Sequence, residues 1–268
     1  MSKAIDWIAA CPTSLATVTQ HTATTLRLEI RAVRYDGPPP VYDITVQQGA
    51  DVQQVIARET LPSRLPAFCP ERHINPDGTF CLGWPKRESL AVHDCETAYA
   101  WLETLCSFLA LQERATDKGE WPERGDWAHG AAAQHQFAAT MYARDLGCWL
   151  EAALAEGRIT TERRRSTKGT SSIIVRESGR RLYAVWERSG RIINPRRPCL
   201  CRSTSARRAR VIAACGDHAQ IAVRLALALD AWKRTEAHFW NTLQGYPCCG
   251  TMKNCPLNQE TGKSHRET

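Results

Sequence analysis

At 268 residues and 30.0 kDa, the chain exceeds a usual single domain of about 100 to 200 residues, which predicts two modest domains or one large one. Apolar residues make up 43% and charged residues 24%, enough to build a core and to exclude wholesale disorder or a collagen-like fibre. No window approaches 18 consecutive apolar residues, and Met1 to Pro12 carries Asp6 within its apolar stretch, so the expectation is a cytoplasmic protein without a membrane span.

The net charge of +7 is unevenly distributed. Arg158 to Arg210 holds 16 Lys/Arg against three acids, Glu162, Glu177 and Glu187, whereas the remainder holds 19 basic and 25 acidic residues. A mildly acidic first domain joined to a strongly basic second one follows. The 12 cysteines are read as reduced thiols, because disulfide frameworks belong to small secreted domains. Cys11, Cys69, Cys81, Cys95, Cys106 and Cys148 are scattered, while Cys199, Cys201, Cys215, Cys248, Cys249 and Cys255 crowd the last 70 residues. The split suggests a reactive thiol in the first half and a metal site in the second.

In chain order, residues 3 to 10 read as a short amphipathic helix. Thr25 to Val33 alternates with period two, Asp36 to Pro40 turns, and Val41 to Gln47 is the hairpin partner. Leu61 to Pro70, with Pro62, Pro66 and Pro70, is too proline-rich for a helix and suits an edge strand. Thr97 to Glu113 places Trp101, Leu102, Leu105, Phe108, Leu109 and Gln112 on one stripe of a helix capped by Asp94 or Thr97 and stopped at Thr116 to Gly119. A second helix runs from about Trp127 to Glu156, with a break at Gly147. Arg158 to Lys168 reads as a basic linker, followed by a three-stranded sheet in Ser172 to Arg176, Arg181 to Glu187 and Arg191 to Asn194. A long helix from about Asp217 to Thr242 and a polar, disordered tail after Leu257 close the chain. This order is α+β, not alternating βαβ.

Cys69 to Gly83 (Cys-Pro-Glu-Arg-His-Ile-Asn-Pro-Asp-Gly-Thr-Phe-Cys-Leu-Gly) carries the chemistry. Ile74-Asn75-Pro76-Asp77-Gly78-Thr79-Phe80-Cys81-Leu82 resembles, without a gap, the active-site run of ubiquitin-conjugating enzymes, whose cysteine carries a thioester. The proline-rich approach at Leu61 to Phe68 and the helix at Thr97 to Leu109 resemble the flanking elements of that family. The resemblance implies a UBC-like fold: N-terminal helix, antiparallel meander, active-site loop and C-terminal helices, over residues 1–156. It implies Cys81 as nucleophile and Asn75 as a residue fixing the loop. Glu71-Arg72-His73 stands where the family has His-Pro-Asn, so His73 occupies the place of the functional asparagine, as in the bacterial antiphage-defence branch. An imidazole N–H there can organise the loop and stabilise an oxyanion. Asp126 and His129 lie in a loop that in this fold would approach the cysteine.

The resemblance further implies, as partners, an ATP-dependent activating enzyme, a modifier and a target lysine. The modifier is a ubiquitin-like protein or the C-terminus of a nucleotidyltransferase. No membrane partner and no cofactor for catalysis are expected. A thioester enzyme needs an exposed thiolate flanked by hydrogen-bond donors, and the Pro76-Asp77-Gly78 turn can present one.

Residues 157–268 form the expected smaller, basic, cysteine-rich α+β module. Turn-forming residues surround Cys199, Cys201, Cys248 and Cys255, the ligand set expected for one structural zinc, with Cys249 as a fifth candidate. Reduced packing cysteines are the alternative. The basic run is either a solvated face or a dock for an acidic partner or nucleic acid. Two competing functions stand beside acyl transfer: a non-catalytic adaptor retaining the fold, and a nucleic-acid-binding protein acting through the basic module.

Overall fold

Alternation of apolar residues builds the first sheet. In the computed structural model, which describes residues 3–34, 37–84, 90–122, 127–166, 169–201 and 211–258, β2 (Thr25–Arg31) buries Leu26, Leu28 and Ile30. They lie opposite Val46, Ile44 and Tyr42 of β3 (Val41–Gln48) in antiparallel register. β1 (Ala16–His21) and β4 (Val55–Glu59) flank them in the order β1-β2-β3-β4. Burying each such Leu, Ile or Val side chain contributes about 1.5 to 3 kcal/mol.

The inner face of the sheet shares one core with Ala4, Ile5 and Ile8 of α1 (Ala4–Ala10) and with Ala98, Trp101, Leu102, Leu105, Phe108 and Leu109 of α2 (Cys95–Lys118). The stripe in α2 is the expected one. Asp94 is the N-cap: its carboxylate accepts from the Thr97 amide at 2.8 Å, while Thr97 bonds back to the cap. Gly119 closes the helix in the left-handed conformation, φ 67°.

Leu61 to Pro70 is not an edge strand. It is a looped approach organised by the buried carboxylate of Glu59, which accepts from the amides of Ser63, Arg64 and Leu65 and from the Ser63 hydroxyl, at 3.0 to 3.2 Å. Prolines at 62, 66 and 70 remove the donors a ladder needs.

The second core is built on another four-stranded sheet: β5 (Ile159–Arg165), β6 (Ser171–Glu177), β7 (Arg180–Trp186) and β8 (Arg191–Ile193), in that order. Arg158 to Lys168 is therefore mainly strand and not linker, and the sheet has four strands where three were expected. β5 is sealed at its middle by Arg163, which pairs with Glu187 at 2.8 Å and with the buried Asp230 at 2.5 Å. Asp230 lies on α5 (His218–Thr242). α3 (Ala132–Leu146) and α4 (Cys148–Ala155), broken at Gly147 as expected, contribute Ala139, Ala143, Leu146, Leu150 and Ala153 to this same core.

The compact units of the structure are drawn at other residues than the expected boundary after 156. The chain separates into one compact unit of Met1–Glu123 with Gly245–Thr268 and another of Arg124–Gln244. Helices α3 and α4 pack with the second sheet because their alanine-rich faces complete its core, and the cysteine-bearing segment after Gly245 belongs with the first unit. The segment 202–210, with four of the basic residues, the expected tail from 259 onward and Asp126 lie outside the described residues. Among the described residues, no helix is long and apolar enough to cross a membrane.

Candidate functional site

Beyond the proline-rich approach, Cys69 begins a narrow loop. Its amide and carbonyl exchange hydrogen bonds with Ile74, 3.1 and 3.0 Å, around a single 3-10 turn at Pro70–Arg72. His73 ends that turn at φ 54°, in the left-handed region, and its ring packs on Trp121 with centroids 5.0 Å apart. Non-glycine residues seldom adopt this conformation, so the chain here is held by its surroundings.

The holding group is Arg72. Its guanidinium, 1% exposed, donates from Nε to the Gln112 side chain at 2.7 Å and from Nη2 to the Gln112 carbonyl and Thr116 hydroxyl, both at 2.9 Å. Gln112 returns a bond to the Arg72 carbonyl at 2.6 Å. Burial presses the guanidinium pKa below its ordinary value, while surrounding acceptors and thiols favour the charge. The loop is thus bolted to α2. A polar residue on the apolar stripe of α2, Gln112, is the available sequence signal for this anchor.

From Ile74 the chain turns at Asn75 to Thr79. The Asn75 amide donates to the Thr79 carbonyl at 2.9 Å, Gly78 (φ 78°) closes on the Asn75 carbonyl at 2.9 Å, and the Asn75 side chain donates to the Thr79 hydroxyl at 3.0 Å. Asp77 accepts from the Thr79 amide and hydroxyl, which hold its carboxyl below the usual range. Phe80 is buried against Phe108, centroids 4.9 Å apart, and Leu82 packs on the same core. Between these two anchors Cys81 is exposed; its amide donates to the His73 carbonyl at 2.9 Å. Cys81, His73 and Asn75 therefore share one loop, with an exposed sulfur presented by a fixed main chain. The arrangement can offer a nucleophilic thiol to a large acyl donor.

His129 lies in the other unit, where its ring pairs with Glu236 and stacks on Phe239, centroids 4.6 Å apart.

The four residues expected to share one zinc are separated between two thiol clusters. Cys199 and Cys201 lie with Cys215 and His218; one ligand atom from each lies within 4.8 Å of all the others. Cys199 Sγ is 3.2 Å from His218 Nδ1, and Cys201 Sγ is 3.7 Å from Cys215 Sγ. Three thiolates and an imidazole are a complete donor set for structural zinc. Sequence reasoning misses Cys215 and His218 as partners, although Cys-x-Cys followed by Cys-x-x-His at the start of α5 is a readable signal. Cys248 and Cys255 instead cluster with Cys69 and Cys249 in the first unit. There the Cys69 and Cys249 sulfurs share a hydrogen bond at 3.0 Å, which holds Cys249 down at about 5 and Cys69 far above an ordinary thiol.

Part of the basic run is paired. Arg158 meets Glu156 and Glu177, and both Arg164 and Arg176 meet Glu162.

Comparison with known families gives two matches. Residues 14–123 match the model described as a prokaryotic E2 domain, and residues 128–257 match a cysteine-rich domain, C-terminal to E2 domain. No curated protein and no solved structure matches the chain. With an E2-type segment followed by the cysteine-rich segment named for standing behind it, the two matches support an E2-like family in bacteria and a ubiquitin-conjugating-like role.

Proposed function

We propose that the chain is an acyltransferase that carries a modifier protein as a thioester on Cys81 and delivers it to a target amine in bacterial antiphage defence. The observation that carries this reading is the exposure of Cys81 between the buried Phe80 and the partly buried Leu82, with its amide pinned to the His73 carbonyl. In the first step the Cys81 thiolate attacks the thioester of an activating enzyme. A new sulfur–carbon bond forms, and the activating enzyme's thiolate leaves. In the second, the lysine amine attacks the Cys81 thioester, the carbon–nitrogen bond forms, Cys81 leaves as thiolate and the amine loses a proton to solvent or a nearby base.

His73 fixes the loop through its carbonyl, and an imidazole N–H stabilises the oxyanion of each tetrahedral intermediate. Asn75 keeps the turn before Cys81 closed. The Cys81 sulfur meets the Gly83 carbonyl at 3.9 Å, a neighbour that cannot act as a hydrolytic base, which suits a long-lived thioester. The Cys199, Cys201, Cys215 and His218 set would hold a zinc ion that staples the second unit. The modifier is a ubiquitin-like protein or a nucleotidyltransferase C-terminus, activated by a separate ATP-dependent enzyme. The defence setting draws support from histidine at position 73.

The test is charging with cognate activating enzyme, modifier and ATP. A conjugate cleaved by thiol reductant and lost in Cys81→Ala supports the reading. Charging undiminished in Cys81→Ala overturns it. In cells, Cys81→Ala should remove protection against phage; retained protection would remove catalysis from the defence role.

A further inference from the structure

Four cysteines of the first unit are left unused by the proposed acyl transfer. Cys69 stands at the root of the active-site loop, and Cys248, Cys249 and Cys255 lie on the segment that follows Gly245. They form one cluster with Met252, beside Trp121 and Leu257. Cys69 and Cys249 touch through sulfur at 3.0 Å, and Cys248 packs in the same cluster as the buried Cys255. The separation of 3.0 Å is well beyond a disulfide bond of about 2.05 Å.

The Gly250 amide donates to the Cys248 sulfur at 3.4 Å, and the Cys249 sulfur lies 3.1 Å from the Thr251 hydroxyl. Gly250 turns the chain directly after Cys248 and Cys249 at φ 71°, with open space where a side chain would stand. An amide donor aimed at sulfur stabilises a thiolate. The buried Arg72 guanidinium interacts with Cys69 and Cys249, which suits the net charge of about −2 on a divalent ion held by four thiolates. The segment is tied down independently, through the Lys253 amide to the Gly119 carbonyl at 2.9 Å and Arg72 to the Thr251 hydroxyl at 3.4 Å.

We propose that Cys69, Cys248, Cys249 and Cys255 form a second metal site, a tetrathiolate centre for zinc that clips the C-terminal segment to the root of the active-site loop. The touching Cys69 and Cys249 and the neighbouring Cys248 and Cys255 would close on one ion by side-chain rotation, each sulfur losing its proton to solvent as it binds at about 2.3 Å. Because Cys69 is paired on both main-chain sides with Ile74, the clip also stiffens the chain leading to His73 and Cys81. The metal site stands without the acyl-transfer reading. Only this last consequence rests on it.

Full-length protein purified without chelator should contain two zinc ions per chain. Cys249→Ser with Cys255→Ser should lower this to one, and Cys215→Ser with His218→Ala should independently lower it to one. Cobalt loaded into the latter variant should give the intense thiolate-to-metal absorption and the ligand-field bands of a four-sulfur site. Should a variant fail to fold, wild-type protein supplies the second measurement. Peptides bearing Cys69, Cys248, Cys249 and Cys255 should resist alkylation when zinc-loaded and become labelled after chelation. One zinc per chain insensitive to Cys249 and Cys255, or equal alkylation before and after chelation, would overturn the proposal. Failure of Cys81 to accept a modifier would leave the zinc count at two, so the two readings fail separately.

Discussion

The main-chain N–H of Cys81 donates to the carbonyl of His73 at 2.9 Å, joining the proposed nucleophile to a residue held in left-handed conformation. This bond uses His73's backbone, so it survives side-chain substitution. The imidazole has a separable role.

His73→Ala should charge at Cys81 with little change but discharge to lysine about 10² to 10³-fold more slowly, the range for loss of one oxyanion donor. His73→Asn, which tolerates φ 54° and keeps an N–H, should retain most of the discharge rate. Single-turnover charging and discharge separate the two steps. Equal loss of both in His73→Ala would make the ring structural.

Arg72→Ala should destabilise the first unit by about 2 to 4 kcal/mol, because it strands the buried side-chain oxygen of Gln112 and empties the space the guanidinium fills. Arg72→Lys should restore little, since one ammonium cannot reproduce the planar fork. Arg72→Met with Gln112→Leu should be milder than the sum of the single changes, the mark of a coupled pair. Denaturant midpoints read every variant.

Glu59→Ala should cost about 2 to 4 kcal/mol, leaving the Ser63, Arg64 and Leu65 amides without their acceptor. Ser63→Ala should cost less than about 1 kcal/mol, since the amide bonds remain. Hydrogen exchange at residues 63 to 65 should quicken in the first variant and stay protected in the second.

Removal of metal from the Cys199, Cys201, Cys215 and His218 set should lower the melting temperature of the second unit. Cys215→Ser should reproduce this even with zinc supplied. A melting profile unchanged by chelator and by Cys215→Ser would make these thiols packing residues.

The parts legible in the sequence are those with a strong period or a gapless motif. The stripe in α2, the β2–β3 hairpin and the break at Gly147 each follow from local chemistry. β1 escapes because Ala16–His21 is largely exposed and carries little alternation, and β4 because five residues give too short a pattern. β5 reads as linker since Glu162 and Arg163 to Arg165 look solvated, whereas Arg163 is paired with Asp230 some 67 residues away. The zinc ligands divide differently from expectation for a related reason. Nearness in sequence gathers the last six cysteines together, but Cys69 captures Cys249 from 180 residues away, a pairing no local pattern announces.

Locating the modifier on the chain tests Cys81 most directly. Trypsin releases residues 73–86 as a peptide whose sole cysteine is Cys81. After charging of Cys81→Ser, which should trap a reductant-resistant oxyester, mass spectrometry should find the modifier's C-terminal remnant on this peptide at residue 81. Finding the remnant instead on a peptide bearing Cys69, Cys95 or a lysine, with residue 81 unmodified, would contradict the assignment of Cys81 as the acyl carrier.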